Sequence, residues 1–253
     1  VFSKIAASQQ HGTDDQLLRE FVKEFRSLTH NTKAQGVCAA LPGVRHLSDF
    51  ALRQEAVGTL HAAMLEMGKA PSADVLGAVG EAHLRHCFAD WYGLKRFWYD
   101  ARKVLHEGIP CVVEVAVAET IEGGDLWTAL NFSPTFEPPF AETYLMSSPV
   151  SASGLTNFLQ RAHAAPGDHE HPTTAVAVHV VCPTLEFLDR GKTRVKAPSW
   201  MAQLLAGALW KTTKTLYEEE EKRRKNAAKA ERQAEARERA IARQHPEMRI
   251  KDA

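Results

Sequence analysis

Two runs of small and β-branched apolar residues constrain this chain more than anything else in it: PCVVEVAVAE, from Pro110 to Glu119, and TTAVAVHVV, from Thr173 to Val181. Successive side chains of a strand point to opposite faces. In the first run Val113, Val115 and Val117 fall on one face and Ala116 and Ala118 on the other. The second is apolar at both parities, so each run predicts a central strand buried on both sides. DLWTALNF, residues 125–132, reads as a further strand. Its short separation from the first run, through Gly123-Gly124, predicts that the two form a hairpin.

The elements around these strands complete an α+β pattern. After Ser151 and Ser153, Leu155, Phe158 and Leu159 define one face of a helix. The second central strand leads into a polar loop, LDRGKTRVK, and then into Pro198-Ser199, a pair suited to a helix start. Met201, Leu205, Ala208, Thr212 and Leu216 follow at helical spacing. Strand, strand, helix, strand, helix predicts a β-sheet with helices on one face and a long C-terminal helix. Beyond Tyr217, Glu218–Lys222, Glu219–Arg223, Glu220–Arg224 and Glu221–Lys225 are four i,i+4 pairs. Each is worth about 0.2–0.5 kcal/mol, enough together to extend the helix without a core. Alanine and charge then run to Gln244 with no leucine seam, so a single exposed helix is expected before His245-Pro246.

The first third has a different character. After Asp14-Asp15, Leu17, Leu18, Phe21, Val22 and Phe25 predict an opening helix within residues 1–30. Residues 31–93 show helical segments broken at Pro42-Gly43, Ser48-Asp49 and Pro71-Ser72, and read as a small all-helical domain. WYGLKRFWYDARK, from Trp91 to Lys103, mixes aromatic and basic residues. It is read as a packed hinge over 94–108, ahead of an α+β domain at 109–217 and a charged extension at 218–253.

Composition excludes several classes. The chain has 253 residues, 44% of them hydrophobic and 25% charged, with a mean hydropathy of -0.30. No apolar run is long enough to span a bilayer, and a cytoplasmic location is expected. The formal net charge is zero, so any contact with nucleic acid has to be a local patch. Cys38, Cys87, Cys111 and Cys182 lack paired spacing and read as reduced thiols, with no metal site expected. The ends of the chain suggest a fragment or a processed product.

Four places could carry chemistry. The turn LPGVR, residues 41–45, could offer backbone N–H groups and Arg45 to a phosphate, or simply join two helices. His163, Asp168, His169, Glu170 and His171 crowd one connection but match no closed tetrahedral set, and a solvated polar loop is expected. His179 is expected to be a hydrogen-bonded core residue. The GKT at Gly191–Thr193 is not a P-loop, because the position five before Gly191 is Glu186 rather than glycine. Lys192 could still reach, as a point charge, a phosphate bound by another domain or subunit.

Two stretches resemble one family. The P-x-VVEVAVA run, the A-V-A-V-H-V run, the F-x-x-x-GK of Phe187 to Lys192 and the long C-terminal helix resemble the transducer domain of the B subunit of DNA topoisomerase VI, a type IIB enzyme. NTKA at Asn31 to Ala34 and PSADVLGAVGEAHL from Pro71 resemble that family's helix-two-turns-helix domain, in the same order. The resemblance covers most of residues 20–217. It implies a B-like subunit that dimerises, contacts double-stranded DNA, and passes ATP state to an A-like subunit that cuts DNA through a tyrosine. Lys192 takes the place of the lysine that contacts the ATP γ-phosphate, and Lys33 and Arg45 are the expected DNA contacts. No acidic-Asn helix and no D-x-G-x-G motif occurs in the sequence. ATP and Mg²⁺ are therefore expected through a GHKL domain outside this chain. The alternative is an ATP-independent adaptor of a topoisomerase-like DNA-break complex. Either implies a cytoplasmic, nucleoid-associated protein with no membrane contact and no catalytic nucleophile of its own.

Overall fold

The computed structural model describes residues 15–244 apart from 54, 70 and 168–172. The chain divides into two compact units, residues 1–71 and 72–253.

The first unit is helical. Helix α1 (Leu18–Lys23), α2 (Asn31–Ala39), a 3-10 turn (Leu47–Ala51) and α3 (Ala56–Met67) follow one another. Their core is Leu18, Phe21, Val22, Leu47, Phe50 and Leu60, all almost fully buried. Asp15 does not cap α1. Its carboxylate accepts from the Ser48 N–H (3.0 Å) and hydroxyl (2.6 Å), pinning the start of the unit to the 3-10 turn. Asp14 lies outside the described residues.

The second unit holds a 3-10 turn (Ala73–Leu76), helix α4 (Glu81–Tyr92), strands β1 (Leu94–His106), β2 (Ile109–Thr120), β3 (Leu126–Leu130), β4 (Ser133–Pro134), β5 (Tyr144–Ser147) and β6 (Val150–Ser153), helix α5 (Leu155–Arg161), strand β7 (Thr174–Val181) and helix α6 (Ser199–Gln244). The main sheet runs β1-β2-β7-β3-β4, and β5 pairs with β6 in a separate ribbon. Both central strands come from the two apolar runs, and β7 is buried at every position.

Two expectations change here. The stretch 94–106, expected as a hinge, is the long strand β1, paired with β2 from Leu94–Thr120 to His106–Ile109. Its tight turn uses Glu107 and Gly108, both at positive φ, as two-residue hairpins prefer. The hairpin expected between β2 and β3 does not form. β7 inserts between them, antiparallel to β2 and parallel to β3. Separation in sequence was the wrong guide, because β7 offers β2 a partner buried at every position and β3 does not.

The two sheet faces are built differently. Val113, Val115, Val117, Val176, Val178 and Val180 pack under α5 and α6. On the opposite face, alanines at 116, 118, 175 and 177 leave room for α4, which buries Phe88 against them. Thus the helices predicted over one face are joined by α4 on the other, from residues that the sequence places with the helical domain.

Candidate functional site

The loop from β7 to α6 is held at each step. Asn131 clamps Cys182 with its side-chain amide, accepting from the Cys182 N–H (2.9 Å) and donating to its carbonyl (3.1 Å). Further on, Leu188 N–H donates to Arg194 O and Lys196 N–H to Glu186 O, both at 2.9 Å, so residues 186–196 fold back on themselves. At the tip, one Asp189 oxygen accepts from the Thr193 N–H (2.9 Å) and the other from the Thr193 hydroxyl (2.8 Å) and the Arg194 N–H (3.0 Å). The Thr193 backbone bond is the largest cause that holds the Asp189 carboxyl down, at a pKa of about 2. A group so firmly anionic keeps the turn closed throughout the neutral range.

This turn presents Lys192. The positive φ of the turn belongs to Lys192 itself (56°), while Gly191 has none. A non-glycine residue in that region carries about 1 kcal/mol of strain. The Lys192 ammonium lies 6.0 Å from the centroid of Phe187, at the outer limit of a cation–π contact. Arg194 and Lys196 have carboxylate partners in Glu142, Asp189 and Glu186. Among the described residues Lys192 and Arg190 have none, so two cations of this tip remain open to an anion from outside. Sequence reasoning singled out Lys192 and passed over Arg190, which nothing in the pattern marked. Beneath the loop a cleft of about 520 Å³ is lined by Tyr144, Met146, Leu188, Val195 and Ala202.

From the loop starts α6, 46 residues long. At 1.5 Å per residue it spans roughly 70 Å. Its apolar face buries Met201, Leu205, Leu209 and Leu216 on the sheet. A second face lies along the edge strand β1 and is polar. His106 stacks on Trp200 with ring centroids 4.5 Å apart. Gly207 admits the Arg102 guanidinium, whose Nη1 would lie 2.2 Å from an added Cβ. Lys211 Nζ meets Asp100 Oδ1 at 2.6 Å. Arg96 grips Glu219 with two bonds, 2.7 and 2.8 Å. These four β1 residues share the even-numbered face of the strand. Of the predicted i,i+4 pairs Glu220–Arg224 (3.1 Å) forms, and Glu220 also takes Arg223 (2.8 Å). Glu219 turns to β1 instead, and Glu218 pairs backwards with Lys214 (3.6 Å). From Lys222 to Arg237 every residue of α6 is exposed.

The face under α4 carries a buried ionic centre. Glu114 is fully buried on β2. It accepts from His179 Nδ1 (2.7 Å), the Tyr99 hydroxyl (2.6 Å) and the N–H groups of Val79 and Gly80 (both 2.8 Å). Burial alone would push its carboxyl up; these four donors outweigh it and hold the pKa at about 2. Phe132 N–H donates to His179 Nε2 (3.2 Å), so both ring nitrogens are used. His179 is a hydrogen-bonded core residue, and it orders the sheet rather than facing a substrate.

The remaining predicted residues lie apart from the loop. Lys33 sits half-buried on α2 and Arg45 is exposed after Gly43, whose φ is 85°. The LPGVR turn does hold an anion with its backbone, but that anion is Asp49, whose Oδ2 accepts from the Arg45 N–H (2.7 Å) and the His46 N–H (3.0 Å). His163 is buried and stacks on Tyr217 (5.7 Å). Asp168, His169, Glu170 and His171 lie outside the described residues. Cys111 and Cys182 are buried thiols, and burial pushes Cys111 up to about 12.

Fold and site together describe a mixed α+β chain in which a preset basic turn feeds one long helix. No protein-family profile matches it, and no curated protein does. Among solved structures it is similar to the B subunit of the DNA gyrase from Myxococcus xanthus, with 14% identity over 52% of this chain and 40% of that one and a TM-score of 0.34. It is also similar to the 43K ATPase domain of Thermus thermophilus gyrase B in complex with an aminocoumarin, with 18% identity over 67% of this chain and 46% of that one and a TM-score of 0.29. The chain spans less than half the length of either. At TM-scores below 0.5 neither likeness assigns a fold or an activity to this chain.

Proposed function

We propose that this chain is the helix-two-turns-helix and transducer portion of a B-like subunit of a type IIB topoisomerase, coupling ATP state to DNA passage. The observation that supports this best is the turn at 189–194. It holds an ammonium with no carboxylate partner among the described residues, in a strained backbone conformation, at the root of a helix long enough to carry a displacement well beyond the sheet. In this reading Lys192 senses the γ-phosphate of an ATP·Mg²⁺ bound by a GHKL domain, as a point charge. The helix α6 carries an A-like partner on its exposed half. Lys33 and Arg45 contact double-stranded DNA, the B-like subunits pair as a homodimer, and the assembly works in the cytoplasm on the nucleoid.

The test is Lys192→Ala in the assembled enzyme, with the ATPase domain and the A-like subunit present. Loss of one charge-assisted bond, worth about 1.5–3 kcal/mol, should cut ATP-dependent strand passage by roughly 10- to 100-fold with the fold unchanged. Unaltered passage would remove Lys192 from the mechanism. Partner binding and DNA breakage that proceed equally with and without ATP would replace this reading with the ATP-independent adaptor.

A further inference from the structure

At one end of the main sheet, away from the basic turn, three large apolar side chains are left in solvent. Trp91 on α4 is 56% exposed, Ile121 after β2 is 59% exposed and Trp127 on β3 is 45% exposed. The two indoles lie 5.3 Å apart, inclined at 39°. They are not loosely held. Trp127 Nε1 donates to the Tyr92 hydroxyl (3.0 Å), which donates to Asp125 Oδ2 (2.9 Å). The Ile121 and Glu122 N–H groups both donate to the Tyr92 carbonyl at the end of α4. So α4, the end of β2 and the start of β3 are tied into one rigid platform. Two exposed tryptophans side by side, one of them fixed through its indole N–H, are uncommon on a surface, and grouped in this way they mark a contact site.

The charges around the platform select its occupant. Glu122 has no side-chain partner among the described residues, and Asp125 uses one carboxylate oxygen within the platform. The α4 C-terminus adds the negative end of a helix dipole. Asp90 is shared with His86 (3.3 Å). A phosphodiester backbone would be repelled here, although indoles stack readily on bases. A cation is favoured three times over: by the indole faces, by the helix end and by the two carboxylates. A guanidinium suits best, because its plane stacks on an indole while its N–H groups reach carboxylate oxygens.

We propose that the Trp91–Trp127 platform docks an arginine-bearing basic segment of a partner protein. The site stands on the second unit alone and is independent of the topoisomerase reading. It would survive if Lys192 proved irrelevant.

The probe is an acetylated, amidated Gly-Arg repeat hexapeptide, titrated calorimetrically into the full chain, with its Gly-Lys and Gly-Glu counterparts and a dT12 oligonucleotide alongside. The Arg peptide should bind several-fold more tightly than the Lys peptide, and the Glu peptide should not bind. Trp91→Ala should weaken binding about 2- to 5-fold, as expected for an exposed cation–π contact. The charge-only variant Glu122→Gln/Asp125→Asn should weaken it by a similar factor and flatten its salt dependence, with the thermal melt unchanged. Equal binding of the Glu peptide, tighter binding of dT12, or indifference to both variants would overturn the proposal. So would concentration-dependent self-association abolished by Trp91→Ala, which would make the platform an interface between copies of this chain.

Discussion

Glu114 of β2 and His179 of β7 stand directly opposite each other in the antiparallel register, with Oε2 2.7 Å from Nδ1, as a buried polar pair on the alanine face of the sheet. The pair also holds the approach to α4, because Glu114 takes the Val79 and Gly80 N–H groups. A central strand of valine and alanine thereby gains a fixed register and a fixed helix entrance.

Glu114 should therefore govern acid stability. Its folded pKa, about 2, lies below the ordinary value of 4.5. Its contribution is present above pH 4.5 and is lost as the pH falls through the window from 4.5 to 2. By linkage that contribution is at most about 3 kcal/mol. Glu114→Gln, which sets an amide against two backbone N–H donors, should destabilise the protein by roughly 2–3 kcal/mol at pH 7. It should also flatten the acid limb of the stability curve. Urea unfolding at pH 7, 5 and 3 checks both, and parallel curves for the two proteins would refute the assignment.

Lys192 separates strain from charge. Lys192→Gly relieves the positive φ and should raise stability by about 1 kcal/mol, or leave it unchanged once the entropy of a freer unfolded chain is counted. Lys192→Ala keeps the strain and should change stability little. If both variants lose the same amount of ATP-dependent passage, the charge is what matters. If Lys192→Gly keeps its passage, the ammonium is not needed and the charge drops out of the mechanism.

The β1–α6 face predicts salt sensitivity. Arg96 and Glu219 are both substantially exposed, so their coupling in a double-alanine cycle should be modest, about 0.2–1 kcal/mol, and smaller in 1 M NaCl. Hydrogen exchange on α6 near residue 219 should speed up with salt in the wild type but not in Arg96→Ala. Equal salt response in the two would show that the pair does not fasten the helix.

Gly124 has no room for a side chain. An added Cβ would lie 1.9 Å from the Thr174 carbonyl oxygen, a backbone atom that cannot turn aside. Gly124→Ala should cost about 2 kcal/mol or more, whereas Gly123→Ala, with open space around it, meets only the cost of its own positive φ. A thermal melt of the two variants decides it.

Much of the fold was legible because it was local. Val113, Val115 and Val117 against Ala116 and Ala118 mark the two faces of β2 by alternation alone, and Met201, Leu205 and Leu216 mark the buried seam of α6 by helical spacing. The candidate loop was legible only as a lysine beside a glycine. That Asp189 closes the turn, that Lys192 rather than Gly191 takes the positive φ, and that Arg190 is open as well all depend on hydrogen bonds that no periodicity records.

The sequence by itself determined which segments had to be central strands and where the long helix begins, since strand and helix periods and turn residues act over a few positions. Only the tertiary structure decided partners. It made 94–106 a strand because β2 needed a neighbour, put β7 between β2 and β3, and turned Glu219 from its helix neighbour to Arg96. Pairing energy comes from burial and from ion geometry across the fold, and residues far apart in the chain compete for it on equal terms with those nearby.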